Sequence, residues 1–277
     1  MADKQPELAT DRRRGGWRGT LGLIAAYAKL NLSMALEYRV SFLSQLIGMF
    51  INDGIWLVFW ALYFDRFPVV KGWRQEDIFM LWAVLTFGYG VGMGLFGNAG
   101  RLSSLVLQGQ LDYYLVLPKD ALIHSLLGRM YFTAWGDALF GLTVFAFFGH
   151  PTPLRIAVYL TVSLLGGLAL VSAVIIANSL TFFLGSTQVL SAQLYNTLIH
   201  FATYPMDIFQ GAIRVLLYTA IPVYFVSALP VAVLRHPTWP ALGLLAVSSA
   251  TLAVIAYVLF HRGLRRYESG NLVNLQS

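Results

Sequence analysis

Residues 240–260 form a run of 21 without a charge, and Arg262, Arg265 and Arg266 follow directly. As a helix rising 1.5 Å per residue, such a run spans about 31 Å, the thickness of a bilayer's hydrocarbon core. No water is present there to satisfy backbone N–H and C=O groups, so the run must hydrogen-bond within itself, as a helix does. The three arginines place its end on the cytoplasmic side by the positive-inside rule. The rest of the topology is counted back from that tail.

Hydrophobic residues make up 57% of the 277-residue chain and charged ones 12%, against roughly 25% charged in a soluble domain. This is the composition of a polytopic membrane protein with no room for a sizeable soluble domain. The net charge of +6 does not point to nucleic acid, because the basic residues gather at the edges of apolar segments. With no cysteine, disulfides, thiolate metal sites and cysteine nucleophiles are excluded. About 20 polar and basic residues open the chain with no short apolar core before a small-residue cleavage site, so no signal peptide is expected.

Hydropathy gives seven apolar segments: 40–64, 78–97, 130–149, 156–184, 187–204, 215–234 and 240–260. Seven conflicts with the ends. Lys4, Arg12, Arg13, Arg14, Arg18, Lys29 and Arg39 make the N-terminal region look cytoplasmic too, and two cytoplasmic ends require an even number of crossings. Segment 215–234 is the favoured exception. It holds Pro222 and Pro230, each removing a backbone donor, and Arg214 and Arg235 flank it on both sides. Broken backbone at membrane depth is tolerated where protein or a cavity satisfies it, so a pair of short re-entrant outer helices is expected here. Segment 187–204, short and carrying Gln188, Gln193, Asn196 and His200, is the rival exception. With six crossings, thirteen of the 19 Lys and Arg fall on the cytoplasmic side.

Ahead of the first crossing, Leu21, Ile24, Ala25, Ala28, Leu32, Ala35 and Leu36 share an arc of about 120° at 100° per residue. Asn31, Ser33, Glu37 and Tyr38 lie outside it, and Trp17 and Arg18 suit the headgroup region, so an interfacial amphipathic helix is expected. In the second segment Gly88 with Gly92, and Gly90 with Gly94, are spaced four apart, a pattern that lets helix backbones approach in lipid. No internal repeat is evident, which argues against an inverted-repeat carrier.

Catalytic signatures are missing. None of Lys4, Lys29, Lys71 and Lys119 follows a glycine, so there is no phosphate-cradling loop. The five histidines form no i, i+4 pair to hold a metal, and no G-x-S-x-G elbow occurs. No catalytic, cofactor-binding or metal-ligating residue is therefore expected on this chain. Two acids do fall within apolar segments: Asp53, beside Asn52, and Asp137. A charge at mid-bilayer costs about 2.5 to 3.5 kcal/mol on insertion scales, so it has a partner or a task. An acid tying helices together, attraction of a cationic substrate and proton relay all remain open. His200 reads as a packing residue.

Three patterns in order resemble permease subunits of ABC-2-type exporters, in the six-span branch related to daunorubicin and viologen export permeases. They are Gly109-Gln-Leu-Asp-Tyr-Tyr-Leu-Val-Leu-Pro118, then Tyr204-Pro-Met-Asp-Ile-Phe209 with Arg214, Pro222 and Pro230 after it, and the tail Gly263-Leu-Arg-Arg-Tyr-Glu-Ser-Gly-Asn271. Tyr38-Arg39, Phe42 and Trp60 bound the first span as in that branch. The resemblance implies an all-α integral membrane protein in three parts: a tail with interfacial helix over 1–39, six transmembrane helices over 40–260, and a cytoplasmic tail over 261–277. It implies a coupling helix over 98–119 that docks on a separate ATP-binding subunit, with Leu111, Asp112, Tyr113 and Pro118 carrying the contact. ATP and Mg would bind that subunit, present in two copies, and a second related permease, or another copy of this chain, would complete the pathway. Asn52, Asp53, Gln193 and Asn196 are the expected substrate path between the two halves, in a bacterial inner membrane. An ion- or proton-coupled secondary carrier and a scaffold without substrate are the competing classes.

Overall fold

The computed structural model describes residues 17–267. The basic residues up to Arg14 and the Glu268–Asn271 end of the tail pattern lie outside the described residues, as do the side chains of residues 17–21 and Ala35 within the expected interfacial arc. Among the described residues every regular element is helical.

α1 (Trp17–Glu37) leads into α2 (Arg39–Arg66) with only Tyr38 between them. Leu30, Leu32, Met34 and Leu36 are exposed along α1. Asn31, expected on the polar side, is instead buried. Its amide donates to Tyr27 O at 2.9 Å and its Oδ1 accepts from Met130 N at 3.3 Å, so it pins α1 to the bundle. α3 (Gln75–Leu95) opens with Asp77, whose carboxylate accepts from Arg74 N at 2.8 Å and suits the positive end of the helix dipole.

Short pieces then follow: a 3₁₀ turn at Gly97–Arg101, α4 (Leu102–Leu107), α5 (Asp112–Leu115) and α6 (Ala121–Leu127). The region expected as one coupling helix is thus segmented. Gly109, at φ +68°, adopts the left-handed conformation that ends α4, and Pro118 lies between α5 and α6. α7 (Ala134–Phe148), α8 (Pro153–Ser179), α9 (Thr181–Leu184) and α10 (Gln188–Ala202) come next.

Segment 215–234 is broken, as its prolines suggest. α11 (Gly211–Tyr218) stops before Pro222, and a π-helical turn at Tyr224–Ala228 leads into α12 (Leu229–Arg235). Only Pro222 acts as a breaker. Pro230 lies just after the π-helical turn, inside the continuous stretch Tyr224–Arg235, and does not end it. α13 (Trp239–Leu264) closes the chain.

Among the described residues four helical stretches are long and apolar enough to cross a membrane: α2, α3, α8 with α9, and α13. α7 and the stretch Tyr224–Arg235 are apolar but shorter. α3 is the axis of the bundle: 78% of its apolar window is buried, against 11% in α2 and 17% in α13. Its glycines make this possible. A Cβ on Gly88 would strike Ser163 O and stand 3.1 Å from Gly167 N on α8. One on Gly90 would stand 2.5 Å from Ala134 O on α7, and one on Gly141 of α7 would stand 2.6 Å from Ala83 O of α3. Backbone thus lies against backbone on two sides of one helix. Beside this contact Tyr159 of α8 stacks on Phe145 of α7 at 3.9 Å and donates its hydroxyl to Ala83 O at 3.1 Å.

At the end of the bundle away from the tail, Trp73 Nε1 donates to Asp207 Oδ2 at 2.9 Å, and Arg235 pairs with Asp77 at 2.9 Å. Asp207 belongs to the second sequence pattern, and here it fastens the loop before α3 to the segment before α11.

Gly88→Ala is expected to destabilise the bundle by about 1–3 kcal/mol through overpacking, whereas Gly243→Ala, whose Cβ meets nothing within 4 Å, leaves it unchanged. Thermal unfolding of the two variants in one detergent tests the difference.

Candidate substrate cavity and partner-docking segment

Among α2, α3, α7 and α10 lies a cavity of about 250 Å³. α2 contributes Asn52, Asp53 and Trp56, α3 contributes Trp82, Thr86 and Tyr89, α7 contributes Asp137, and α10 with the chain after it contributes His200, Thr203 and Tyr204. Asp53 and Asp137, the two acids singled out in apolar segments, therefore meet. Both line the same cavity, and Asn52 Nδ2 reaches Asp53 Oδ1 at 3.5 Å. One oxygen of each carboxyl, Oδ2, is buried without a partner, as is Trp82 Nε1. That pairing is invisible in the sequence, where 84 residues separate the two acids.

Of the four expected path residues, Asn52 and Asp53 line the cavity. Gln193 and Asn196 do not: both are exposed on α10. Spacing explains the division, since Tyr195 and Ile199 occupy the inward face of that helix. Tyr195 shares a 2.8 Å hydroxyl–hydroxyl hydrogen bond with Tyr89. Tyr89 lines the acid cavity, and Tyr195 lines a second one of about 320 Å³ that also includes Arg101 and Arg129. The tyrosine pair thus stands at the boundary between an acidic chamber and one flanked by arginines. No motif announces these tyrosines; only the inward register of α3 and α10 could have suggested them.

The segment 97–128 is held from three sides. Asn98 Nδ2 donates to Ser125 O at 2.8 Å, and Asn178 of α8 accepts from Ser103 N at 3.2 Å, capping α4 from outside. Asp120 accepts from Ile123 N through Oδ1, and through Oδ2 it meets Tyr257 and His261 of α13, each at 3.0 Å. Tyr27 of α1 bonds His124 Nδ1 at 3.1 Å. Burial, helped by Lys119 and opposed by Asp120, holds His124 below its ordinary pKa. Tyr267, from the tail pattern, lies against Asp112 of the first pattern. Burial and that carboxylate push its hydroxyl up to about 12. Two of the three sequence patterns therefore touch.

Within this segment Leu111 is fully buried in the chain's own core. Asp112 is half-buried, and Tyr113, Val116 and Pro118 project outward, with Tyr113 67% and Val116 81% exposed.

A helical bundle with four membrane-length helices, an internal polar cavity and a braced protruding segment defines a polytopic membrane transport protein. The model of the ABC-2 family transporter proteins matches residues 50–270, most of the chain, and the chain belongs to that family. No curated protein and no solved structure matches it. The chain is thus the membrane-embedded permease component of an ABC transporter, a transport component rather than a catalyst, and permeases of this family generally partner with ATP-binding subunits.

Tyr89→Phe or Tyr195→Phe alone leaves one hydroxyl without its partner and is expected to cost about 1 kcal/mol. The double variant costs clearly less than the sum, a non-additivity that a thermal double-mutant cycle measures.

Proposed function

We propose that the chain is half of the translocation pathway of an ATP-driven exporter and takes its driving force from a separate ATP-binding subunit, two copies of which serve the complex. In this reading α2, α3, α7, α8 with α9, α10 and α13 make six crossings, and α11 and α12 form the re-entrant outer pair. Both termini lie in the cytoplasm of a bacterial cell, with the bundle in its inner membrane. A second, related permease pairs with this chain more readily than another copy does.

The observation that carries the proposal is the form of the 97–128 segment: apolar groups presented at its tip, fixed anchors at its base. Tyr113 and Val116 project outward, while Asn98, Asp120 and the Asn178 cap tie the base to α6, α8 and α13. A loop meant only to connect two helices has no need of this bracing. Tyr113, Pro118 and Asp112 would meet the ATP-binding subunit, and Leu111 would hold the tip in shape from inside. Asn52 and Asp53 would lie on the substrate path, and Gln193 and Asn196, being exposed, would face the partner permease. ATP-driven approach of the two ATP-binding subunits would move the two segments, and with them the balance between inward-open and outward-open states. The Asp53–Asp137 pair is the one observation that favours a proton-coupled secondary carrier instead, which would work without an ATP-binding partner.

Purification of the tagged chain from its native host in mild detergent tests the proposal. A stoichiometric ATP-binding protein is expected to accompany it, and a chain that arrives alone and monodisperse overturns the reading. Tyr113→Ala combined with Val116→Asp is expected to cut recovery of that partner by roughly tenfold, a loss of about 1.4 kcal/mol, without shifting thermal unfolding. Leu111→Ala is expected to act through stability, costing about 2–5 kcal/mol.

A further inference from the structure

The acid cavity has features that helix packing alone does not use. Asp53 and Asp137 are each 4% exposed and line one cavity, and two carboxyl groups buried together away from water do not both ionise without a countercharge, so the pair holds a proton. The titratable groups at the pair are Tyr89 from α3, Tyr195 and His200 from α10, and Tyr204 just after it, while Arg101 and Arg129 flank the neighbouring chamber. Among the described residues no lysine or arginine lines the cavity. Deep in a bilayer such a pair keeps a proton until another positive charge arrives to replace it. The Oδ2 atoms left without partners, and the Trp82 Nε1 beside them, are the unmet groups of an empty polar site.

The walls specify the kind of charge. Trp56 and Trp82, stacked against each other with centroids 6.1 Å apart and planes inclined by 23°, form one aromatic wall of the cavity, and Tyr89 and Tyr204 add further rings. Aromatic faces attract alkylated ammonium groups. The volume of about 250 Å³ suits a small organic ion.

We infer that this cavity binds a small organic ammonium ion in exchange for the proton that Asp53 and Asp137 share; as a substrate class, this rests on the exporter reading above. The exchange balances. The cation enters, one carboxyl O–H bond breaks, its proton passes to water, and the charge held in the cavity does not change. The carboxyl pair thus selects cations while the cavity holds the same net charge empty and occupied.

The test uses the full-length chain in phosphatidylcholine nanodiscs and benzyltrimethylammonium, which has no proton of its own to lose. Isothermal titration calorimetry in two buffers of different ionisation heat gives affinity and proton count together. About one proton released per cation is expected, with affinity rising up to about tenfold per pH unit, as one-for-one exchange requires. Asp53→Asn and Asp137→Asn are expected to weaken binding by roughly tenfold or more and to abolish release, while Asp137→Glu keeps both. Sodium chloride should release no protons. Absence of binding, binding without proton release, or Asn variants that bind as the wild type does would each overturn the inference. Should the Asn variants not fold, the wild-type proton count decides by itself. A chain that arrives with its ATP-binding partner yet fails this titration loses only its substrate class. One that exchanges protons but has no such partner keeps the site and loses the exporter reading.

Discussion

The contact between Gly88 on α3 and Gly167 on α8 is the constraint on which the other positions depend. In lipid no hydrophobic force draws apolar helices together, so association relies on close packing and on polar contacts between helices. Two glycines facing each other remove the side chains that would hold the backbones apart, and the same helix meets α7 through Gly90 and Gly141. With α3 held between α7 and α8, its Trp82, Thr86 and Tyr89 edge is left turned toward α2 and α10, and the cavity is the space these helices enclose. The polar chamber is a by-product of where the small residues lie.

Hydropathy and proline positions carry most of the helical plan. Each apolar segment appears as helix, and the one marked by its prolines as irregular is the one that breaks. What they do not carry is register between distant helices. Asn31 looks like a surface residue by its helical angle, yet a backbone N–H at Met130 needs an acceptor, and the buried amide supplies it. Gln193 and Asn196, expected on a path between two halves, are exposed on α10, whose packed side carries Leu198 and Ala202. The Asp53–Asp137 meeting depends on how α2 and α7 cross, which no local pattern encodes. Leu111 stands in a pattern full of outward residues, and only the tertiary fold distinguishes the anchor from the tip.

The braced segment and the cavity are connected through few elements. α10 carries Tyr195 at the cavity boundary, and near its start Gln188 donates to Ser104 of α4 at 3.1 Å. α8 supplies the Asn178 cap to the segment and, by way of Gly167, the seat of α3. A displacement of the segment therefore reaches the cavity walls through stiff helices rather than loops.

The burial of α3 has a consequence for how the chain is made. Synthesis runs from α2 onward, so α3 enters the membrane well before Gly167 of α8 has left the ribosome. Until then its row of glycines faces lipid, or whatever chain lies nearby, with its intended neighbour still unmade. The order of translation thus leaves an interval in which the most central helix is the least satisfied. Any factor that shelters small-residue helices during insertion would find its client in α3, rather than in the longer helices α2 and α13 that remain on the outside of the finished bundle.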